Sequence, residues 1–174
     1  MDELFHLPSA RVAMPRAYWI DKLSSAVLVV EPSLTEWKRI TTYVEDTSDS
    51  GFDMDILNAL YNTTCLVLPH RQYLLLSSEF QEEEHARFLG AADETWVPSE
   101  VLAEAKYIHF SGMTVPKPWV PVDEGIIASA RPKCRRTMDE KGDCEDRDIW
   151  LGLYKDFLGR RKVRCCCCRS SEAY

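Results

Sequence analysis

Residues Ser24-Ser-Ala-Val-Leu-Val-Val30 form a nearly unbroken apolar run, rich in β-branched residues and closed by Glu31-Pro32. The run is too short for a helix and lacks the alternation of a half-exposed strand. It reads as a strand covered on both faces. Such a strand needs helices packed on it, which directs the chain towards an α/β architecture. The flanking pattern agrees. Pro32-Ser33 opens a helix in which Leu34, Trp37 and Ile40 recur at helical spacing, with Ser33 as N-cap and Glu36 closing the capping box. Asp53 reads as the N-cap of a second helix reaching about Tyr61, with Ile56, Leu57 and Leu60 on its buried face. Val12 to Met14, Cys65 to Leu68 and Tyr107 to Phe110 read as strands, and Tyr73 to Leu76 as a further candidate. Trp150, Leu153, Tyr154 and Phe157 predict a helix from Trp150 to Leu158, stopped by Gly159. Tyr107 to Phe110 is expected in the same sheet as Ala26 to Val30.

The 174 residues are enough for one domain, and 45% hydrophobic residues with 10% aromatics suit a packed core. A net charge of -7 argues against nucleic acid as the main partner. The last stretch is basic instead, with Arg160, Arg161, Lys162, Arg164 and Arg169. We divide the chain into a domain over 1–160 and a basic, Cys-rich tail over 161–174 that reads as disordered. No run of about 18 apolar residues is present, and the N-terminus lacks the features of a signal peptide. As written, the chain reads as cytoplasmic. Seven cysteines include Cys165, Cys166, Cys167 and Cys168 in a row. Adjacent cysteines suit neither structural zinc nor vicinal disulfides. They belong to a disordered tail or, beside a basic cluster, to an S-acylated membrane tether. Cys134 and Cys144 enclose an acidic loop and can pair in an oxidising compartment.

The most specific chemistry lies in Tyr107-Ile-His-Phe-Ser-Gly-Met-Thr-Val-Pro-Lys-Pro-Trp119. His109 is a soft ligand at a strand end, Gly112 marks a turn, and Lys117 is a cation held between two prolines. Together they suit a cradle for a metal-bound diphosphate. Taken singly, His109 also fits a half-buried histidine bonding backbone, and Lys117-Pro118-Trp119 a surface turn. Asp53-Met54-Asp55 has the spelling of a metal motif, but at a helix start Asp53 caps N–H groups and Asp55 suits the dipole. Pro69-His70-Arg71 either aims a base into a cleft or ends a strand. Glu82, Glu83, Glu84 and His85 read as a solvated acidic face. Asn62-Thr-Thr64 is a glycosylation sequon, meaningful only in a secretory lumen.

Three segments resemble the glycogenin-like nucleotide-sugar transferases of glycosyltransferase family 8, closest to the fungal N-acetylglucosaminyltransferase-type branch. They are Leu23-Ser-Ser-Ala-Val-Leu-Val-Val-Glu-Pro-Ser33, Phe52-Asp-Met-Asp-Ile-Leu-Asn58, and His109 through Trp119. The last is similar to the family's His-Phe-x-Gly-x-x-Lys-Pro-Trp, with two extra residues between Gly112 and Lys117 that the fungal branch shares. The resemblance covers roughly residues 1 to 160. It implies a GT-A-like α/β fold and retaining transfer from a UDP-sugar to a glycan or protein acceptor, in the Golgi lumen, with manganese on the diphosphate. His109 would be the metal ligand, Gly112, Lys117 and Ser24 would hold diphosphate and sugar, and Asp53 would stand beside donor sugar and acceptor as a catalytic residue. Ser24 replaces the family's usual Asn, and Met54 its usual Gln. The family's Asp-x-Asp and its first uridine-binding strands are expected upstream of Met1, so the fold is expected to be incomplete at the N-terminus. An inactive relative that acts as a binding protein is the alternative.

Overall fold

The computed structural model describes residues 1–47, 51–111, 117–120, 122–135 and 142–167. It is a mixture of helices and short strands in two compact units. The first comprises Met1–Leu75, Ala86–Glu94 and Glu104–Ile108; the second comprises Leu76–His85, Thr95–Ala103 and the residues from His109 onward.

The first unit is organised by β1 (Val12–Ala17), buried at all but one position. β1 pairs antiparallel with β2 (Lys22–Leu23) through Arg16 and Ala17. It pairs antiparallel with β3 (Val29–Val30) through Val12 and Ala13, and parallel with β4 (Leu66–Leu68). Pro15 lies inside β1 and has no N–H to give. Its carbonyl still accepts from the Ser24 N–H at 2.8 Å, and pairing continues around it.

The run from Ser24 to Val30 is therefore not one buried strand. The Ser24 hydroxyl accepts from the Ala26 N–H at 3.3 Å, a side-chain turn that bends the chain. Strand pairing resumes only at Val29, at the other end of β1. The run is not covered on both faces either, since Leu28 is 42% and Val30 53% exposed.

α1 (Leu34–Asp46) begins as expected, with the Ser33 hydroxyl accepting from the Glu36 N–H. Its burial is not as periodicity suggests. Leu34 and Trp37 are exposed while Glu36 is buried. Glu36 tolerates burial because its carboxylate is fully engaged. Arg11 Nη1 lies 2.9 Å from Oε1, Arg39 Nη1 3.2 Å from Oε2, and the Tyr61 hydroxyl donates to Oε2 at 2.8 Å. The Tyr61 hydrogen bond first, then Arg39 and Arg11, hold the Glu36 carboxyl below its ordinary 4.5, against the opposing effect of burial.

A folded-state pKa below the unfolded value contributes stability that is present above about pH 4.5 and is lost as pH falls through the folded value. Tyr61→Phe removes the largest of these stabilising contacts. The variant should be less stable than the parent at neutral pH, and only modestly so because both arginines remain. The variant should also lose less stability than the parent on acidification below pH 4.5. Urea melts at pH 7 and pH 4 measure both; an equal loss in the two proteins would show that Tyr61 does not set the Glu36 pKa.

α2 (Asp53–Tyr61) starts one residue earlier than a cap at Asp53 requires. The N-cap is Phe52, and Asp53 is the first helical residue, its Oδ1 accepting from the Met54 N–H. Leu57, Leu60 and Tyr61 pack with Val12, Met14 and Leu23 in one core cluster. Leu4, Ala13, Val27, Leu68 and Tyr73 form another. The chain continues through α3 (His70–Tyr73), β5 (Leu75–Leu76), α4 (Ala86–Leu89), α5 (Pro98–Glu104), β6 (Ile108–His109), α6 (Glu124–Ala130) and α7 (Glu145–Cys167). β6 pairs with β5 in a separate two-stranded sheet, not with β3 as expected. α7 does not stop at Gly159; its helical backbone reaches Cys167. Among the described residues no helix is long and apolar enough to cross a membrane.

Candidate functional site

In the second unit, β6 ends at His109 and the following residues are tied down on both sides. The Ser111 N–H donates to the Ser77 hydroxyl at 3.2 Å, and the Ser111 and Ser78 hydroxyls are 2.8 Å apart. Phe110 stands edge-on between Tyr154 and Phe157 of α7, at 5.1 and 5.6 Å. On the far side of the loop, Trp119 lies 5.9 Å from Phe157, and its carbonyl accepts from Arg161 at 2.9 Å. Residues Phe110 and Trp119 are thus both anchored to one rigid helix.

This anchoring places Lys117. Its ammonium donates to the Phe110 carbonyl and lies 6.0 Å from the centre of the Trp119 ring. The half-buried His109 feels the result. Burial first, and the Lys117 charge second, push its pKa below the ordinary 6.5. At neutral pH the imidazole is therefore uncharged, with one N–H donor and one lone pair, beside a fixed ammonium. Gly112 and Pro116 lie outside the described residues.

The other expected site residues belong to the first unit. Ser24 is buried, with its hydroxyl used in the turn to Ala26. In the Asp53–Asn58 segment, Asp55 pairs with Lys22 at 3.0 Å. The Asn58 side chain acts as a strand edge, accepting from the Leu23 N–H at 2.7 Å and donating to the Leu23 carbonyl at 2.9 Å. Asp55 and Asn58 thus bind α2 to β2. Asp53 is left as the exposed carboxylate of the segment.

Two other histidines lie outside this loop. His70 bonds the Phe88 carbonyl, and Arg71 holds Glu94 and Glu104, so that segment ties its unit together. Glu82, Glu83 and Glu84 are exposed as expected, but His85 is buried. Its Nδ1 lies 3.0 Å from Glu79 Oε1, and its ring stacks on Trp96 at 3.9 Å. Trp96 in turn donates to Asp146 at 2.8 Å, fifty residues on. Nothing local in the sequence announces a pair of groups that meet only through such a distant partner.

Among the described residues no three His, Cys, Asp or Glu side chains gather as ligands. His109 offers one nitrogen with an ammonium beside it, whereas manganese favours several oxygen ligands. The described residues do not fit the metal by themselves. Cys134 and Cys144 form a disulfide. The side chains of Cys165, Cys166 and Cys167 lie outside the described residues, as does Cys168, and the membrane tether gains no support.

No protein-family model and no solved structure matches the chain. Curated sequences do. Over 180 residues it is 46% identical to Glucose N-acetyltransferase 1 of Aspergillus fumigatus, a match covering 94% of this chain and 47% of that protein. It is 42% identical over 172 residues to the protein of the same name from Gibberella zeae, covering 95% of this chain and 37% of the relative. The chain is related to these fungal proteins. It spans about half the length of the first and little more than a third of the second. A relative of the same name from Debaryomyces hansenii is 29% identical over 123 residues. All three relatives are fungal, in agreement with the fungal side of the resemblance.

Proposed function

We propose that this chain carries part of the catalytic domain of a retaining sugar transferase with a GT-A-like fold, and that the His109–Lys117 loop holds the donor's diphosphate. The observation that carries this reading is the Lys117 ammonium, held by the Phe110 carbonyl, beside the half-buried His109 at a strand end. As the bond between sugar and UDP loosens, the sugar becomes oxocarbenium-like and negative charge builds on the departing diphosphate. An ammonium and an imidazole N–H held close to the departing phosphate stabilise that charge. Lys117 would take a phosphate oxygen in exchange for the Phe110 carbonyl. Asp53, the exposed carboxylate of α2, is the proposed sugar-facing residue of the first unit. The relatives' printed names support the reading, since they name glucose and an N-acetyl group. Glucose or N-acetylglucosamine is accordingly the proposed donor sugar, and a glycan or protein the proposed acceptor.

The test is transfer of labelled sugar from UDP-glucose and UDP-N-acetylglucosamine to short glycans. Lys117→Ala and His109→Ala should each lower turnover by at least about tenfold, the loss expected for one charged or strong contact to the leaving group. Lys117→Ala should also raise the His109 pKa towards that of free imidazole, visible by NMR titration, because it removes one of the two causes of the depression. Unchanged turnover in both variants would remove the diphosphate assignment.

A further inference from the structure

The turn between β1 and β2 shapes a hollow that the donor reading does not use. It measures about 420 Å³, and its lining includes Arg16, Tyr18, Trp19, Asp21, His70 and Arg87. That volume lies within the range of small-molecule sites. Trp19 is half-buried. Its place is set by packing: Tyr18 stands edge-on to Trp19 at 5.1 Å and 86°, and edge-on to Phe88 at 5.1 Å and 83°. The His70 ring lies 5.5 Å from Tyr18 and 5.6 Å from Phe88. The Phe88 carbonyl, 2.7 Å from His70 Nε2, can only accept. Nε2 therefore carries the proton of that bond, and the neutral ring's lone pair sits at Nδ1. Arg16 Nη1 and Asp21 Oδ1 form an exposed pair at 3.1 Å. Arg87 is exposed and has no ion pair among the described residues.

We propose that this hollow binds a neutral carbohydrate, with one pyranose ring seated against the Trp19 indole. A pyranose has an apolar C–H face and a rim of hydroxyls, each both donor and acceptor. Trp19 supplies the flat apolar surface. Asp21 and His70 supply acceptors, and Arg16 and Arg87 supply planar donors that can hold neighbouring hydroxyls in pairs. A phosphate or nucleotide would call for donors alone; Asp21 already pairs with Arg16, and the pull of Arg87 on an anion makes phosphate the comparison ligand in the test. An apolar ligand would leave these polar groups without partners. The site lies on residues other than His109 and Lys117, and its existence does not depend on the transferase reading.

The experiment is an NMR titration of the full chain, following the indole N–H signals, with neutral trisaccharides built of glucose, mannose or galactose. Inorganic phosphate and UMP serve as the comparison. We expect at least one trisaccharide to bind at millimolar concentration or below and to shift the Trp19 signal, with phosphate and UMP leaving it in place. Trp19→Ala should weaken binding by at least about tenfold, and Asp21→Asn by several-fold, whereas Trp19→Phe, which keeps an aromatic face, should stay within about threefold. Trp37→Ala, at an exposed tryptophan in α1, should bind as the parent does. No binding by any trisaccharide overturns the proposal. So does binding that Asp21→Asn leaves intact while Trp19→Ala unfolds the chain, and so does a Trp19 shift produced by phosphate or UMP alone.

Discussion

Trp150→Ala will destabilise the second unit by about 3–5 kcal/mol, the range for deleting a fully buried tryptophan. Trp150 has no exposed surface and lies 4.4 Å from the Tyr154 ring inside α7. Removing it leaves a void against the same helix that anchors Phe110 and Trp119, so the His109–Lys117 arrangement should loosen with it. The indole N–H of Trp150 is buried and has no hydrogen-bond partner among the described residues. A buried donor left unserved costs about 1–3 kcal/mol. Trp150→Phe removes that donor while keeping most of the volume, and should therefore cost under about 1.5 kcal/mol, the packing loss being largely offset. Urea denaturation followed by circular dichroism measures both variants. Equal damage from Phe and Ala would mean that the indole N–H is served by a bound water and that its bond matters more than the ring.

Reducing the Cys134–Cys144 disulfide is expected to cost about 3 kcal/mol. The cross-link closes a loop of 10 residues, and chain entropy for a loop of that size amounts to about 2.7 kcal/mol in the unfolded state. The native structure around it is positioned to amplify the loss. Arg135 and Asp143 exchange both backbone hydrogen bonds, at 2.7 and 2.8 Å. The Arg135 side chain then reaches Asp143 and Asp146 at 3.2 and 3.1 Å. Asp146 receives the Trp96 N–H, and Trp96 carries the stacked His85. A Cys134→Ser/Cys144→Ser variant should therefore melt earlier than the parent, and dithiothreitol should lower the parent's midpoint to the variant's without moving the variant. A midpoint in the parent that ignores reductant would show that the paired cysteines contribute nothing to stability.

Local signals were the legible ones. Ser33 caps α1 because a short hydroxyl ahead of a helical run meets its orphan N–H groups wherever the helix goes. The span of α2, the apolar strands around Val12 and Leu66, and the break at Pro69 rest on equally short-range rules. The Trp150 repeat was read correctly as helix, but Gly159 was over-read as a stop. A glycine costs a helix only about 1 kcal/mol, which a long helix absorbs. Of the candidate site, His109 and Lys117 were legible as neighbours because they lie close together along the chain, near enough for the Lys117 charge to act on the imidazole. The hollow around Trp19 was not, since Arg16, His70 and Arg87 meet only when β1, α3 and α4 pack.

The sequence by itself determined where α1 begins, that the segments around Val12 and Leu66 extend, and that one histidine and one lysine lie only a few positions apart in the chain. Capping, periodicity and chain stiffness act over a few residues and need no partner. Tertiary structure alone decided how the run Ser24–Val30 is used, and it divided that run because β1 offers partners at its two ends. It also decided that Glu36 is buried in place of Leu34, because Tyr61, 25 residues away, and Arg11 complete its hydrogen bonds. His85 is buried for a related reason, through Glu79 and the stacked ring of Trp96. Burial of a polar group is set by whether partners arrive to satisfy it, and those partners come from parts of the chain that only folding brings together.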